Sequence, residues 1–254
     1  MLRFSSLGSG SRGNATLVEA GRTCVMVDCG FSVAETRRRL ARLGKSPEDI
    51  HAILVTHEHS DHIGGVPALA RRFGIPVWMT AGTSVVHGDT EVPSLDWFCG
   101  LEAFAIGDLE ITPFPVPHDA REPCQFVFGD GAVRLGVLTD TGSVTSHIRR
   151  QLDGCQALLL ECNHDTGMLA GGPYPPALKR RVGGHLGHLS NHQAAELLTD
   201  LDTGALRHLV AAHLSDKNNR PELARAALAD ALGCGPDWIG VADQTLGLAW
   251  RQVG

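Results

Sequence analysis

Short apolar runs rich in β-branched residues alternate along this chain with segments whose apolar positions recur every three or four residues. That switching between a period of two and one near 3.6 predicts an α/β arrangement rather than separate helical and sheet parts. Strands are expected at residues 2–5, 15–19, 24–27 and 52–55, the last reading Ala52-Ile53-Leu54-Val55. Ser32 and Glu35 stand in capping-box spacing at the head of a helix that Gly44 stops. Ile63-Gly64-Gly65, continued by Val66, Leu69, Ala70 and Phe73, reads as one amphipathic helix. A strand at 76–79, a helix at 83–87 and a loop around Pro93 and Trp97 follow. Strands are predicted at 109–116 and 125–128, with Asp130-Gly131 turning the chain into a strand over 132–138. The second half continues the alternation: strand 157–160, helix 176–182, helix 191–201, strand 208–211, helix 221–232 and two closing strands. Ala194, Leu197, Leu198 and Leu201 give the 191–201 helix one buried stripe. No low-complexity or proline-rich linker divides the chain, so residues 1–254 are read as a single domain.

Composition narrows the class without naming it. With 254 residues, 43% hydrophobic and 20% charged, the chain can bury a sizeable core. No stretch approaches the roughly 18 apolar residues of a membrane span. The N-terminus, Met1-Leu2-Arg3-Phe4-Ser5-Ser6-Leu7-Gly8, lacks a secretory apolar region, which gives a cytoplasmic reading. Seven cysteines without a C-x-x-C pair fit a reducing compartment better than a disulfide framework. A net charge of −6 argues against a general nucleic-acid coat but leaves room for a local basic groove. Arg37-Arg38-Arg39 with Arg42, Arg71-Arg72 and Arg149-Arg150 read as solvated helix faces, whereas Lys179-Arg180-Arg181 lies in a segment with other functional signals.

The densest chemistry is Thr56-His57-Glu58-His59-Ser60-Asp61-His62, directly after the 52–55 strand. His57 and His59, two apart on extended backbone, can point toward one ion, while Asp61 and His62 at the helix start face a second position beside it. Burying such a cluster without cations would cost several kcal/mol for each uncompensated charge. Asp28, His118, Asp140 and His213 each follow a predicted strand end. Singly each has a good reading as a turn or capping residue; together with the histidine turn they suffice for two hydrolytic metal ions bridged by one carboxylate.

In this order, Asp28, His57-x-His59-x-Asp61-His62, His118, Asp140 and His213 resemble the metallo-β-lactamase superfamily over nearly the whole chain. The resemblance implies an αββα four-layer sandwich. It implies a first metal held by His57, His59 and His118, a second by Asp61, His62 and His213, Asp140 between them, and Asp28 orienting ligands without binding metal. Leu7-Gly8-Ser9-Gly10-Ser11-Arg12-Gly13-Asn14, Glu161-Cys162-Asn163-His164-Asp165, Tyr174-Pro175, Gly187-His188-Leu189-Ser190-Asn191 and His213-Leu214-Ser215 are similar to the YycJ/WalJ branch of nuclease-like proteins. Members of that branch are implicated in cutting DNA from 5′ ends. The Gly187-His188 segment also resembles one of ribonuclease Z that carries a catalytic histidine, with Glu161 where that enzyme has a supporting glutamate. The expected partner is therefore nucleic acid, DNA ahead of RNA, with no membrane and a homodimer left open.

Phosphodiester hydrolysis needs a nucleophile at neutral pH, charge neutralisation at phosphorus and a proton for the leaving oxygen. Lowering a water's pKa from about 15.7 to about 7 on a metal is worth roughly 12 kcal/mol in hydroxide availability, more than any single side-chain contact. The expected cofactors are two divalent ions, zinc or manganese, with iron compatible with the same donors. Attack by hydroxide on the metal pair, oriented by Asp61, with His188 as proton donor held by Glu161, is the implied mechanism. Lys179, Arg181, Ser9, Asn14, Asn219 and Tyr174 are candidate substrate contacts. His51, His87, His147, His185, His192 and His208 read as surface or packed residues, and His164 is split between a site role and a structural hydrogen bond. Two competing functions share the fold: a small-ester or thioester hydrolase, and a non-catalytic nucleic-acid-binding subunit.

Overall fold

The computed structural model describes residues 1–87 and 92–254, apart from the side chains of Val86 and His87. The expected role of His87, and the start of the loop expected before Pro93, therefore lie outside the described residues. The first half of the chain runs β1 (Leu2–Gly8), β2 (Ala15–Ala20), β3 (Thr23–Val27), α1 (Val33–Arg42), β4 (Ala52–Leu54), α2 (Ser60–Ile63), α3 (Val66–Phe73), β5 (Val77–Met79), α4 (Ala81–His87) and β6 (Leu95–Trp97). The second runs β7 (Phe104–Ile106), β8 (Leu109–Pro115), β9 (Cys124–Gly129), β10 (Arg134–Leu138), α5 (Ser146–Leu152), β11 (Ala157–Glu161), α6 (Thr166–Gly171), α7 (Pro176–Val182), α8 (Asn191–Thr199), β12 (His208–Ala212), α9 (Pro221–Leu232), β13 (Gly240–Val241) and β14 (Leu248–Gln252).

One sheet has the order β14-β1-β2-β3-β4-β5-β6, the other β13-β12-β11-β10-β9-β8-β7. In each, antiparallel pairing gives way to parallel pairing part-way across, at β3–β4 and at β10–β11. The period of two along each strand decides which face a residue serves. In β3, Val25 and Val27 enter the core between the sheets with Phe4, Leu54, Phe126 and Leu159, while Cys24 and Met26 face the outer layer that holds Leu40 and Leu69 of α1 and α3. On the other sheet Leu158 and Leu160 turn outward to Ile148, Leu197 and Leu228 of α5, α8 and α9. Both faces of the central strands are covered, which is why they read as unbroken apolar runs rather than alternating ones. The result is the four-layer αββα sandwich.

Several elements differ from the sequence reading for local reasons. The helix expected to run from Ile63 to Phe73 is two helices broken at Gly64-Gly65. There the Gly65 amide donates to the Cys29 carbonyl at 2.7 Å, and a Cβ on Gly65 would lie 1.9 Å from the Phe31 carbonyl oxygen. The loop after β3 thus presses against the backbone that a continuous helix would need. Only half of the capping box at α1 forms: Ser32 accepts from the Glu35 amide, but the Glu35 carboxylate is taken by Arg38 and Arg39. Trp97 lies in β6, paired with Met79, rather than in a loop. β7, α5 and α6, at three, seven and six residues, add to the expected elements; each is short, and α5 and α6 lack the proline start that marks the equally short α7. Among the described residues no helix is long and apolar enough to cross a membrane.

The close approach at Gly65 sets a test. Gly65→Ala should lower stability by more than about 2 kcal/mol, because a backbone carbonyl must move, whereas Gly100→Ala, which opens on free space, should stay within about 0.5 kcal/mol. Chemical denaturation of both variants measures the difference, and equal stabilities would refute the proposed backbone contact.

Candidate metal centre

The ends of four central strands deliver the site. Asp28 directly follows β3, Asp140 lies two residues beyond β10, His213 directly follows β12, and the histidine turn follows β4. Asp28, Asp140 and His213 adopt φ of 60°, 51° and 54°, and they are the non-glycine residues with positive φ among the described residues. Left-handed backbone costs such residues about 1–3 kcal/mol and persists only where surrounding contacts enforce it. Among the described residues this backbone is confined to three residues of one cluster.

Each of five histidines has one ring nitrogen tied to protein and the other turned inward. Thr56 Oγ1 spends its proton on Asp28 Oδ2, so at 2.9 Å it accepts from His57 Nδ1 and leaves Nε2 as a lone pair. His59 Nε2 donates to the Asp119 carbonyl at 3.2 Å, and His118 Nδ1 to the Gly187 carbonyl at 3.0 Å. His62 Nδ1 bonds Asp28 Oδ2 at 2.8 Å, and His213 Nδ1 bonds Glu161 Oε1 at 3.2 Å. Outer hydrogen bonds of this kind select the tautomer that presents a lone pair to a metal. The inward atoms of His57 and His118 lie 3.1 Å and 3.3 Å from His59 Nδ1. A tetrahedral zinc site with bonds of about 2.05 Å has ligand-to-ligand edges of about 3.3 Å, so the three rings fit one ion.

Asp61, His62 and His213 converge as a second group, and Asp140 joins His57 and His62 between the two. Asp140 Oδ2 and His213 Nε2 are buried without a well-formed hydrogen bond among the described residues, their nearest opposite charges being His62 Nε2 at 3.2 Å and Asp61 Oδ2 at 3.7 Å. Orphaned buried atoms of one carboxylate and one imidazole are what a cation would satisfy. The electrostatics agree. Burial, reinforced by the neighbouring rings, holds His57 well below the ordinary histidine range, and burial also lowers His118, so both are neutral donors. Burial alone would lower His62 and His213 too, but Asp140 with Asp28 raises His62 well above its usual value, and Asp140, Asp61 and Glu161 push His213 up to about 10. The surrounding carboxylates thus favour the protonated form of those two rings, where a second cation would otherwise supply the positive charge.

Glu161 gathers with Asp140, His188 and His213 in a further group of possible ligands, but its oxygens already have partners. Its Oε1 faces His188 Nδ1 at 2.8 Å and His213 Nδ1 at 3.2 Å, and its Oε2 accepts from the amides of Thr141 and Leu189. Burial would raise its pKa, but His188 and His213 hold the carboxyl well below the usual range. His188 in turn is lifted above the usual histidine value, against its own burial, by Glu161. With Nδ1 committed to Glu161, Nε2 is left for the cleft that His188 lines.

That cleft holds about 350 Å³ and is walled by His59, Asp61, Asp140, His188 and His213 on one side and Tyr174, Leu178 and Arg181 on the other. Arg181 Nε donates to Asp119 Oδ2 at 2.6 Å. The other candidate substrate contacts do not line it. Ser9 is buried and accepts from the His213 amide, Asn14 Nδ2 packs 3.1 Å from His62 Nε2, and Asn219 Nδ2 is spent on Cys162 and Asn191. Lys179 Nζ donates to the Ala170 carbonyl of α6 at 2.6 Å. These polar side chains bind the ligand-bearing loops or a neighbouring helix, and none of them lines the cleft. His164 is buried behind the cleft wall with Nδ1 unpartnered among the described residues, and exposed His192 faces Glu196 at 3.2 Å. Sequence reasoning missed Thr56 and Asp119, each adjacent to a ligand, and the supporting Asn163, whose amide donates to the His213 carbonyl at 3.0 Å.

A model of the beta-lactamase superfamily domain matches residues 23–214. The chain belongs to the metallo-β-lactamase superfamily. Exodeoxyribonuclease YycJ of Bacillus anthracis is 37% identical over 91% of the chain and 89% of its own length. Exodeoxyribonuclease WalJ of Streptococcus pneumoniae serotype 2 (strain D39 / NCTC 7466) is 34% identical over 94% and 91%. The crystal structure of the metallo-β-lactamase fold protein YhfI from Bacillus subtilis superposes with a TM-score of 0.76 at 15% identity, covering 99% of this chain and 100% of that one. This metallo-β-lactamase superfamily member is thus a hydrolase of the YycJ/WalJ branch, and the superfamily's fold implies divalent metal ions.

Because the carboxylates around His62 and His213 favour protons that a cation must displace, metal uptake at pH 7 should release about two protons per chain and tighten as pH rises. Titration calorimetry in buffers of different ionisation enthalpy reads this directly. Uptake that releases no proton and is independent of pH would remove His62 and His213 from the ligand set.

Proposed function

We propose that this protein is a DNA exonuclease that works from 5′ ends with two divalent cations, zinc or manganese ahead of iron. The reading rests on the His188–Glu161 pair, which opens onto the same cleft as the metal ligands and Arg181. A guanidinium and a buried histidine–carboxylate pair at that place suit the negative charge and alkoxide leaving group of a phosphodiester better than a small neutral ester. The two exodeoxyribonucleases that match nine-tenths of the chain support the same choice.

His57, His59 and His118 would hold one cation, Asp61, His62 and His213 the other, with Asp140 shared. When bound, the cations supply positive charge at the phosphoryl group and acidify a water at neutral pH. The chain's residues do the rest. Asp61, part-exposed at the head of α2, orients the attacking water. Arg181 presents its remaining N–H groups to a phosphate while Asp119 steadies the guanidinium. Tyr174 offers a ring on which a terminal base can stack. His188, kept protonated by Glu161, gives the Nε2 proton to the leaving oxygen. Lys179 and Arg180 add positive charge along α7, and cysteines that are free throughout the described chain suit a reducing cytoplasm.

The test pairs 5′- and 3′-end-labelled single- and double-stranded DNA and RNA with a thioester panel, with and without manganese or zinc. Release of nucleotides from the 5′ end of DNA is expected, and thioester cleavage without any phosphodiester cleavage would overturn the proposal. His188→Ala should retain metal by elemental analysis while losing about 10²- to 10⁴-fold in turnover. Glu161→Gln should move the high-pH limb of the rate profile to lower pH, because the carboxylate that raises His188 is gone. Loss of bound metal in His188→Ala would reassign that residue to the metal shell.

A further inference from the structure

A second cavity, of about 200 Å³, opens at the side of the sandwich where the edges of the two sheets meet. It is lined by His208 at the start of β12, Leu248 and Arg251 of β14, Arg225 of α9, and Asp237 and Trp238 of the 3-10 turn Pro236–Trp238. His208 begins the strand whose far end carries His213, so the length of β12 separates this cavity from the metal centre. Its guanidinium groups are uncommitted. Neither Arg225 nor Arg251 has a hydrogen-bond or ion-pair partner among the described residues, and Arg225 Nε is buried without an acceptor. A buried cationic donor left unsatisfied is unfavourable, and an anionic ligand would satisfy it. By contrast, nearby Arg207 is committed to the Val253 carbonyl and Arg3 to Glu19.

We propose that this cavity is a binding site for a phosphate group carried on a planar aromatic body. Arg225 and Arg251 bring two fork-shaped donors suited to a phosphoryl oxygen pair, and they outweigh the single carboxylate of Asp237. The Trp238 side of the cavity is open, with 43% of the residue exposed, and gives a ring face for stacking just outside the pocket that takes the anion. Asp237 beside it can accept from a hydroxyl or amino group on that body. The cavity has room for a phosphoryl group rather than a whole nucleotide, so the base would lie on Trp238 at the rim. A free nucleoside monophosphate and a phosphodiester of single-stranded DNA share this chemistry.

Titration of the metal-loaded protein with deoxyadenosine monophosphate, deoxyadenosine and a phosphorothioate-protected oligonucleotide, read by tryptophan fluorescence with Trp238→Phe as the blank, tests the site. The phosphate-bearing probes should quench a Trp238 component saturably, and deoxyadenosine should not. Arg225→Gln and Arg251→Gln should each weaken binding about tenfold or more, while His188→Ala leaves it unchanged. Binding of the mononucleotide assigns the site to free nucleotide, and binding of the oligonucleotide alone assigns it to a DNA strand. Quenching that is absent, equal for deoxyadenosine, or indifferent to both arginine substitutions overturns the proposal.

Discussion

Six imidazoles and the carboxylates of Asp61, Asp140 and Glu161 share one corner of an otherwise apolar sandwich, and the free energy of burying them is the constraint that the rest of the structure answers. An isolated carboxylate at the position of Asp140 would be excluded from an interior lined by Leu138 and Leu160. It is tolerated because imidazoles surround it and because its open oxygen faces the convergence point of ligand nitrogens. The same charges in water would be unremarkable. In the interior they fix which tautomer each ring adopts and which atoms remain open to a cation.

The backbone is shaped to serve that convergence. Parallel strands end together, so residues far apart in sequence leave the two sheets at one rim. A strand that simply continued would carry Asp28 or His213 past the rim, and the left-handed turn at each of them redirects the chain across it. Asp28 then joins two loops at once, accepting from the Thr56 amide and hydroxyl and from His62, so the end of β3 and the histidine turn move as one unit. The glycine contact behind that turn, at Gly65, sets how closely the two loops approach.

Glu161 connects binding to chemistry. One carboxylate oxygen faces a proposed metal ligand, His213, and the proposed proton donor, His188, while the other is held by two backbone amides. A group so fully coordinated holds its position, and through it the ring of His188, 5.3 Å from that of His213. Preorganisation of this kind costs stability in the folding of the site and returns it as positioning.

By itself the sequence determined the alternation of strands and helices, the exact extent of helices such as Pro176–Val182 and Pro221–Leu232, and the ligand types, because period, capping residues and the density of histidines are local properties. It also pointed to the residues that the structure gathers at one rim, since each follows an apolar strand. Only the tertiary structure decided which polar residues are free. Ser9 and Asn219 read as cleft residues in sequence, yet partners 28 to 204 positions away take their hydrogen bonds, and Asn14 is held by Gly10 in its own loop and against His62, 48 positions away. The break at Gly64-Gly65 and the service of Asp119 and Thr56 have the same origin. A hydrogen bond or steric contact between distant segments leaves no periodic trace in either one, and it exists only once the two sheets have packed.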